Sequence, residues 1–357
     1  MKVLKKPFVF SILYSVFLIL LSLVILLDVF VIPNEIKPNN DGNVVSADIQ
    51  FTFGGEDIPT EDTHFDECET TEPIQTSDCV PESTIDEITE EEIKDTITET
   101  EPIDTESDIS LPVISDTEYR DENIRITLNT IRVHDTQVYV ADIRLSSAEY
   151  FKTAIAKNKF GTNINDKTST IAKENGAILA INGDYYGANK KGYVIKNGIM
   201  YRDSVRSDYE YDDLCFMFDG SFQIFNEKDI SAKQLLNMGV YQLFGFGPVL
   251  VNESTVCVSA GDEVGQAMAS NPRTALGIVD ELHYVFVVSD GRTKESKGLS
   301  LVQLAELMKD HGCTTAYNLD GGGSSTMYFN GRVVNKPVNR GSQISERWVS
   351  DIVYIGY

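Results

Sequence analysis

The alternation of apolar and polar residues first becomes regular after residue 118. Ile124–Val133 and Val138–Leu145 alternate with a period of two, and His134-Asp135-Thr136 separates them. This period predicts two strands that each bury one face. Short apolar runs farther along are suited to central strands, and they cover Ala177–Ile181, His283–Val288, Ala316–Leu319 and Ile352–Ile355.

Turn signals separate more of the predicted strands. Asn197-Gly198, Asp219-Gly220 and Asn330-Gly331 each stand between two short apolar segments. Dipeptides of this kind supply the positive φ that both central residues of a type I′ turn require. The sequence therefore predicts three β-hairpins.

Helical patterns are fewer than strand patterns. Ser300 can cap a helix that runs to about His311, with its apolar residues on one face and Gly312 after its end. A second helix is predicted over Ala148–Lys157. Residues 119–357 are therefore expected to form one α+β domain, with a mixed β-sheet core and flanking helices.

The first 33 residues have the pattern of a cytoplasmic tip and a membrane anchor. Phe8–Leu27 contains no charged residue, and Lys2, Lys5 and Lys6 precede it. A helix of that length can cross the hydrocarbon core of a bilayer. The lysines predict a cytoplasmic N-terminus, so the protein is expected to be a single-pass cell-membrane protein with its C-terminal domain outside the cytoplasm. A cleaved signal peptide is the alternative, although the apolar run is longer than such peptides use and no A-x-A site follows it.

Residues 34–118 carry almost all of the net charge. They hold 26 acidic residues against Lys37 and Lys94, a net charge of −24, whereas the whole chain carries −25. A segment that is so acidic and poor in aromatic residues is expected to be a disordered stalk. The remaining residues, 119–357, carry a net charge of −3. An acidic domain behind an acidic stalk argues against binding to nucleic acid.

The most distinctive motif follows a predicted strand and precedes another. It reads Asn318-Leu319-Asp320-Gly321-Gly322-Gly323-Ser324-Ser325. The glycines allow a ligand to approach the backbone closely, and successive free N–H groups can bind an anion. A glycine-rich hairpin is the structural alternative, but a turn does not require the aspartate and the two serines.

Two further segments place an arginine beside the end of a predicted strand. Asn271-Pro272-Arg273-Thr274-Ala275-Leu276-Gly277 contains Arg273, whose planar fork suits a phosphate or a carboxylate. Ser289-Asp290-Gly291-Arg292 follows an apolar run, and its Asp290 is a candidate general acid, general base or metal ligand. An arginine paired with a surface acid and an ordinary Asp-Gly turn are the structural alternatives.

A fourth segment, Ala180-Ile181-Asn182-Gly183-Asp184-Tyr185-Tyr186, also follows an apolar run. The amide of Asn182 can hydrogen-bond sugar hydroxyls, and Tyr185 or Tyr186 can stack on a sugar ring. Tyrosines are more commonly part of a core than a sugar platform, so the structural interpretation is favoured for this pair.

Together these segments resemble the phosphodiester glycosidase family. The motifs Asn-Gly-x-Tyr-Tyr, Asn-Pro-Arg-Thr-Ala-x-Gly, Asp-Gly-Arg and Asn-Leu-Asp-Gly-Gly-Gly-Ser-Ser occur in this order over roughly residues 120–357, followed by an Asn-Gly and an arginine. The resemblance implies hydrolysis of a sugar joined through its anomeric carbon to a phosphodiester. The positions that match are Asn182, Gly183, Arg273, Asp290, Arg292, Asn318, Asp320, Gly321, Gly322, Gly323, Ser324 and Ser325. The family commonly has Gly where this chain has Asp184, so no catalytic role is carried over to that residue.

The resemblance leads to one functional hypothesis and one alternative. Asp320 and Asp290 are the predicted catalytic pair, because glycoside hydrolysis commonly uses two carboxyl groups, and the other matched residues are the predicted substrate-binding set. The sequence leaves open which aspartate is the acid, and whether the pair holds a divalent cation. The expected substrate is a sugar phosphodiester on an extracytoplasmic glycan or wall polymer. The alternative is a non-catalytic binding or assembly factor for phosphate-bearing exopolysaccharide.

Overall fold

The computed structural model describes residues 6–36, 111–206, 212–262, 270–339 and 343–357. Most of the predicted stalk, residues 37–110, lies outside the described residues. The α-helices are α1 (Lys6–Phe30), α2 (Thr168–Glu174), α3 (Ala232–Asn237) and α4 (Leu301–Asp310). Short 3₁₀ turns cover Ala148–Tyr150, Ala156–Asn158, Tyr186–Ala188 and Gly322–Ser324.

Strands are more numerous than helices. In chain order they are β1 (Asn34–Glu35), β2 (Val113–Ile114), β3 (Glu118–Arg120), β4 (Ile124–Val133), β5 (Thr136–Leu145), β6 (Phe151–Ile155), β7 (Gly161–Thr162), β8 (Asp166–Lys167), β9 (Leu179–Asn182), β10 (Val194–Lys196), β11 (Ile199–Arg202), β12 (Asp213–Met217), β13 (Phe222–Phe225), β14 (Val240–Phe244), β15 (Val249–Asn252), β16 (Thr255–Val256), β17 (Thr274–Asp280), β18 (His283–Ser289), β19 (Thr315–Leu319), β20 (Met327–Phe329), β21 (Arg332–Val333), β22 (Trp348–Val349) and β23 (Asp351–Ile355).

Two sheets contain most of these strands. The larger has nine strands in the order β16-β15-β19-β17-β18-β5-β4-β3-β2, and the smaller has five in the order β21-β20-β9-β23-β6. A three-stranded sheet, β13-β12-β14, and the pairs β1-β7, β8-β22 and β10-β11 complete the described pairings. Each strand pair between described residues is antiparallel. The sheet-rich α+β fold with few helices is therefore confirmed, while the described pairing is antiparallel rather than mixed.

An aromatic core joins the three largest sheets. Phe151 of β6 stacks on Phe216 of β12, with ring centroids 4.2 Å apart. The same ring meets Phe286 of β18 edge to face at 5.6 Å. Buried aromatic rings contribute large apolar areas, so this cluster fixes the sheets against one another.

The predicted helix after Ser300 is confirmed, and its ends follow from its sequence. Ser300 and Gln303 form a capping box at its start, and Gly312 beyond its end has a φ of +84°. Leu304 and Met308 are fully buried in one cluster with residues of the nine-stranded sheet. Burial of each such side chain contributes roughly 1.5–3 kcal/mol.

All three predicted hairpins form, but one uses a different turn. Both residues of Asn197-Gly198 and of Asn330-Gly331 have positive φ, as a type I′ turn requires. In Asp219-Gly220 only the glycine does. There the Asp219 carboxylate accepts a hydrogen bond from the backbone N–H of Ser221 at 2.8 Å. A side-chain hydrogen bond of this kind mimics a backbone turn and stabilises it.

The helix predicted over Ala148–Lys157 is wrong. Its two ends form short 3₁₀ turns, Ala148–Tyr150 and Ala156–Asn158, and Phe151–Ile155 between them forms strand β6 instead. This strand pairs residue by residue with β23, and its Phe151 enters the aromatic core. Long-range pairing and burial therefore outweigh the local helical pattern.

The N-terminal region is described only in part. Helix α1 covers Lys6–Phe30, and its side chains are described from Leu13 to Leu27. Within the described parts of the chain, no helix is both long enough and apolar enough to cross a membrane. The anchor at Phe8–Leu27 stays a prediction from the sequence.

Candidate active site

Three of the sequence motifs meet at one end of three neighbouring strands in the nine-stranded sheet. Strand β17 lies between β18 and β19, and its first residue, Thr274, is opposite both Val288 and Leu319. Arg273 directly precedes Thr274, and Asp290 and Asp320 directly follow β18 and β19. All three residues therefore lie at the same end of these neighbouring strands.

The glycine loop then carries the chain from this sheet to the five-stranded sheet. It begins after β19 and ends at β20, which pairs with β9. Asn182, the last residue of β9, holds the two sheets together with its side-chain amide. Its Nδ2 donates to the backbone oxygen of Asp320 at 2.6 Å, and its Oδ1 accepts from the Thr274 hydroxyl at 2.8 Å. Both amide atoms are thus used by the protein, so Asn182 positions the loop.

Two glycines of the loop are required by close neighbours. A Cβ atom at Gly321 would lie 2.8 Å from the backbone oxygen of Pro272. At Gly322, where φ is +60°, it would lie 2.9 Å from an Arg292 guanidinium nitrogen. The loop therefore needs glycine to pass between these two motifs.

Asp320 is the centre of a short hydrogen-bond network. Its Oδ2 accepts from the Ser324 hydroxyl at 2.6 Å and from Nη2 of Arg347 at 2.5 Å. Nε of Arg347 also donates to the Ser324 hydroxyl at 2.7 Å. Burial raises the pKa of the Asp320 carboxyl, and the Arg347 cation and the Ser324 hydrogen bond oppose that rise.

The sequence motifs did not identify Arg347 as a site residue; they included only an unspecified arginine after the glycine motif. Its side chain is 37% exposed, although it is bonded to the buried Asp320. Its guanidinium carbon also lies 5.8 Å from the ring centroid of Tyr185. Arg347 is thus a cation of the site that a ligand can reach.

The two tyrosines of the fourth motif have different environments. Tyr185 is 43% exposed and has a φ of +67°, which is uncommon for a bulky residue. Tyr186 is buried and stacks on Phe160, with centroids 5.3 Å apart. The structural interpretation therefore holds for Tyr186, whereas Tyr185 presents its ring beside Arg347.

Asp290 lies on the other side of the glycine loop and has different partners. Its Oδ1 accepts from the backbone N–H of Lys336 at 2.8 Å and from Nδ2 of Asn335 at 3.4 Å. The same Nδ2 donates to the backbone oxygen of Ser325 at 2.9 Å, so Asn335 links Asp290 to the loop. Burial raises the pKa of Asp290, and these hydrogen bonds oppose the rise.

The remaining predicted residues divide into exposed and buried groups. Arg292 is exposed, and its Nε donates to Oδ1 of Asn271 at 3.0 Å. Arg273 is buried, and its Nε donates to the backbone oxygen of Leu299 at 2.9 Å. Asn318 donates to the backbone oxygen of Gly247 at 2.7 Å. Ser325 is fully buried, and within the described residues its hydroxyl has no hydrogen-bond partner.

A sealed ion network lies behind the turn that carries Asn182. Lys196 is buried between Asp351 and Asp184, with Nζ–Oδ2 distances of 2.9 and 3.3 Å. A Cβ atom at Gly183 would lie 2.3 Å from the Asp351 carboxylate, so this position must be glycine. Burial, together with the neighbouring Asp184, raises the pKa of Asp351 to about 7 despite the attraction of Lys196. Asp184 is thus part of an ion network inside the protein.

No group of three or more His, Cys, Asp or Glu side chains in the described part of the chain is arranged to hold a metal ion. The arrangement at the glycine loop is instead that of a carboxylate beside a reachable guanidinium and an exposed aromatic ring. Such a site can hold an anionic group and place a carboxylate next to it.

This arrangement agrees with the comparison of the sequence with protein families. The sequence model of the phosphodiester glycosidase family matches residues 175–356, which include the glycine loop, Asp290 and Arg347. The chain belongs to the phosphodiester glycosidase family.

The chain is also similar to individual proteins. It is 29% identical over 201 residues to the SPbeta prophage-derived uncharacterized protein YomE of Bacillus subtilis, covering 56% of this chain and 31% of that protein. It is 35% identical over 109 residues to mouse N-acetylglucosamine-1-phosphodiester alpha-N-acetylglucosaminidase, covering 29% of this chain and 21% of the enzyme. The chain thus spans less than a third of the length of these relatives.

A solved structure shares the fold. The catalytic domain of the zebrafish N-acetylglucosamine-1-phosphodiester alpha-N-acetylglucosaminidase superposes with a TM-score of 0.54 at 21% identity. The match covers 66% of this chain and 83% of that domain. At this identity the likeness shows the fold alone.

Proposed function

We propose that this protein hydrolyses the glycosidic bond of a sugar 1-phosphodiester. The observation that carries the proposal is the contact of the Asp320 carboxylate with Arg347, whose side chain is 37% exposed at the glycine loop. The family supports the same reaction class, because its members are phosphodiester glycosidases.

Arg347 is the group proposed to hold the phosphodiester. Its planar guanidinium can donate to two phosphate oxygens, and the neighbouring Tyr185 offers a ring face to the sugar. Arg292, next to Gly322, is a second exposed cation at the same loop. Phosphate charge is neutralised there as the bond between the anomeric carbon and the phosphate oxygen breaks.

Asp320 is the carboxylate proposed to face the anomeric carbon. That carbon becomes positively charged as the phosphate leaves, and a carboxylate stabilises it. Water adds its oxygen to the carbon and releases a proton to the solvent, and the phosphate monoester leaves with the electron pair of the broken carbon–oxygen bond. Arg347 and Ser324 counteract the effect of burial on the pKa of Asp320 and so favour its charged form.

Asp290 is proposed to assist proton transfer. Within the described residues its carboxyl accepts no hydrogen bond from a charged side chain, whereas that of Asp320 accepts one from Arg347. Burial raises the pKa of both carboxyls, and the direct contact with Arg347 opposes the rise at Asp320, so the role of general acid is proposed for Asp290.

The proposed substrate is part of an extracytoplasmic glycan or wall polymer. The support comes from the sequence, in which lysines precede an apolar run at Phe8–Leu27 and an acidic segment follows. This pattern is typical of a domain held outside a cell membrane. A fluorescent tag on the C-terminus with a protease-protection assay on whole cells tests the location.

The test of the activity is release of free sugar by the purified full-length chain. The substrate is the methyl phosphodiester of α-N-acetylglucosamine 1-phosphate, within a panel that varies the sugar. Asp320→Asn is expected to lower the rate about 10²-fold or more, because the charge that faces the anomeric carbon is lost. Asp310→Asn, an exposed change at the end of α4, is the matched control and is expected to retain full activity.

The alternative is a non-catalytic binder of phosphate-bearing exopolysaccharide. The same arginine would serve such a binder, but a carboxylate bonded to that arginine weakens the attraction for an anion. Binding of the whole panel without release of sugar from any member would favour the binder and contradict the hydrolase.

A further inference from the structure

The segment that supplies Arg347 continues into an exposed aromatic residue. Trp348 follows directly, and its side chain is 55% exposed. Lys157 places its Nζ 5.7 Å from the centroid of the Trp348 ring. An exposed ring that is flanked by a cation is a recognised platform for the apolar face of a sugar that also carries negative charge.

A cleft opens beside this platform. In β8, Lys167 lies directly opposite Trp348 of β22, and directly opposite residues project to the same face of a strand pair. Lys167 also lines a cleft of about 490 Å³ between α2 and the β20–β21 hairpin. Its volume lies within the range of about 300–1,000 Å³ that is usual for small-ligand sites. We call this the α2 cleft.

The lining of the α2 cleft is cationic. Lys167, Lys173 and Arg332 contribute three cations, against the carboxylate of Glu174 in the lining and that of Glu346, which bonds to Ser169 of the lining. Arg332 also pairs with Asp116 at 2.9 Å, but both side chains are more than half exposed, and such pairs are weak. Since residues 119–357 together carry a net charge of −3, this positive lining does not reflect the charge of the domain as a whole.

The cleft is tied to the active-site segment. The Glu346 carboxylate accepts hydrogen bonds from the backbone N–H of Ser169 at 2.9 Å and from its hydroxyl at 2.6 Å. Ser169 lines the cleft, and Glu346 immediately precedes Arg347. Arg347 and Trp348 are consecutive, so one short segment supplies both the arginine proposed to hold the phosphate and the aromatic platform, with the two side chains projecting to different faces of the extended chain.

We propose that Trp348, Lys157 and the α2 cleft form a second binding site, which takes an anionic saccharide segment beyond the scissile linkage. This proposal rests on the proposed function, because the segment belongs to the same polymeric substrate. Trp348 stacks on one sugar unit, and Lys167, Lys173 and Arg332 attract the phosphate groups that follow. The protein thereby prefers long, phosphate-bearing chains to a single sugar 1-phosphodiester.

The site carries its own reporter, because Trp348 is the only tryptophan of the chain. The experiment titrates phosphorylated dextran into the full-length chain and follows tryptophan emission, with unmodified dextran of equal length in parallel. A saturable change is expected with phosphorylated dextran, at least tenfold tighter than with unmodified dextran. The affinity is also expected to fall with added salt.

Two variants separate the site from non-specific attraction. Lys167→Gln with Lys173→Gln is expected to weaken binding of phosphorylated dextran at least tenfold while leaving Trp348 in place. Lys233→Gln removes an exposed lysine of α3 and is expected to bind as the wild type does. Equal affinities for the two dextrans, or equal affinities of the wild type and the double variant, would overturn the proposal.

Hydrolysis of the small methyl phosphodiester distinguishes this proposal from the proposed function. The double variant is expected to hydrolyse it at the wild-type rate, because among the described residues no hydrogen bond or ion pair joins either lysine side chain to the glycine loop. If the wild type binds phosphorylated dextran but hydrolyses nothing, the proposed function fails and the second site stands. If it hydrolyses the small substrate but tryptophan emission does not respond, the second site fails and the function stands.

Discussion

Two ion networks flank the turn at Asn182, and they differ in access to solvent. In front, Asp320 binds Arg347, whose side chain is 37% exposed. Behind, Lys196 binds Asp184 and Asp351, and none of the three side chains is more than 3% exposed. Each combines one cation with aspartate, one in front and two behind, so residue type does not separate them. Access to solvent separates them, because only the cation of the front network can be reached by a ligand.

Mutation of the cation is expected to affect mainly activity in the front network and mainly stability in the back network. Removing a cation from a sealed network leaves buried charge without compensation, which costs stability. Removing a cation that a ligand can reach mainly removes an interaction made in the transition state. The two networks therefore provide a test that separates stability from catalysis on either side of one turn.

The largest effect is expected for Lys196→Met, at the back. Two buried carboxylates would face each other without their cation, so the free energy of unfolding is expected to fall by about 3–5 kcal/mol. Urea unfolding of the full-length chain at pH 7.5 measures it. An unfolding free energy that matches the wild type would show that the network behind the turn is not sealed.

The same network makes a prediction about pH, and Asp351→Asn is its control. Because the pKa of Asp351 is raised to about 7, the folded protein keeps a proton that the unfolded chain has released above about pH 4. Stability from this group is therefore lost as the pH rises from about 4 to 7. Asp351→Asn is expected to flatten the pH dependence over that window, and an unchanged slope would contradict the raised pKa of Asp351.

A smaller loss in free energy is expected for Arg347→Met, at the front. It removes the fork proposed to hold the phosphate, so kcat/KM should fall about 10²-fold, while the unfolding free energy falls by only about 1–3 kcal/mol, because one buried carboxylate rather than two loses its cation. Arg347→Lys keeps the charge without the fork and should retain an intermediate rate. Arg125→Met, an exposed arginine of β4, serves as the matched control. A loss of stability as large as that of Lys196→Met would erase the contrast between front and back.

The sequence predicted the strands and hairpins well because each is encoded locally. The first five residues of β4, Ile124–Leu128, alternate between buried and more exposed positions, and Asn197-Gly198 supplies its own turn geometry. Ala148–Lys157 failed because its conformation depends on pairing with β23, which lies almost two hundred residues away. No local pattern contains that information.

The residues of the site likewise divide into those that a local motif predicts and those that only the fold brings together. Asp320 and its glycines could be found because they form one continuous motif, whereas Arg347 arrives from a separate segment with no motif of its own. Asp184 and Asp351 could not be assigned from sequence, because the buried cation between them, Lys196, is identified only by the fold. The contrast between Tyr185 and Tyr186 likewise depends on the positive φ of Tyr185.

The smallest effect is expected for Asp290→Asn, and it concerns the third carboxylate of the site. Asp290 is buried like Asp351, yet its partners are the backbone N–H of Lys336 and the amide of Asn335, so the amide variant keeps much of its environment. A phosphate leaving group needs little protonation, so the rate should fall only about tenfold, below the range of about 10²–10⁴-fold that is typical of acid–base catalysis.

The pH profile decides the role of Asp290. Since its raised pKa keeps the carboxyl protonated to a higher pH than a free aspartate, the wild-type rate should decline as the pH rises through that pKa. In Asp290→Asn that limb should disappear, while the effect of Arg347→Met remains. If Asp290→Asn instead abolishes activity and Asp320→Asn costs only tenfold, the two carboxylates exchange roles. The reachable cation beside Asp320 would then serve to bind the substrate rather than to support the charge of a catalytic carboxylate.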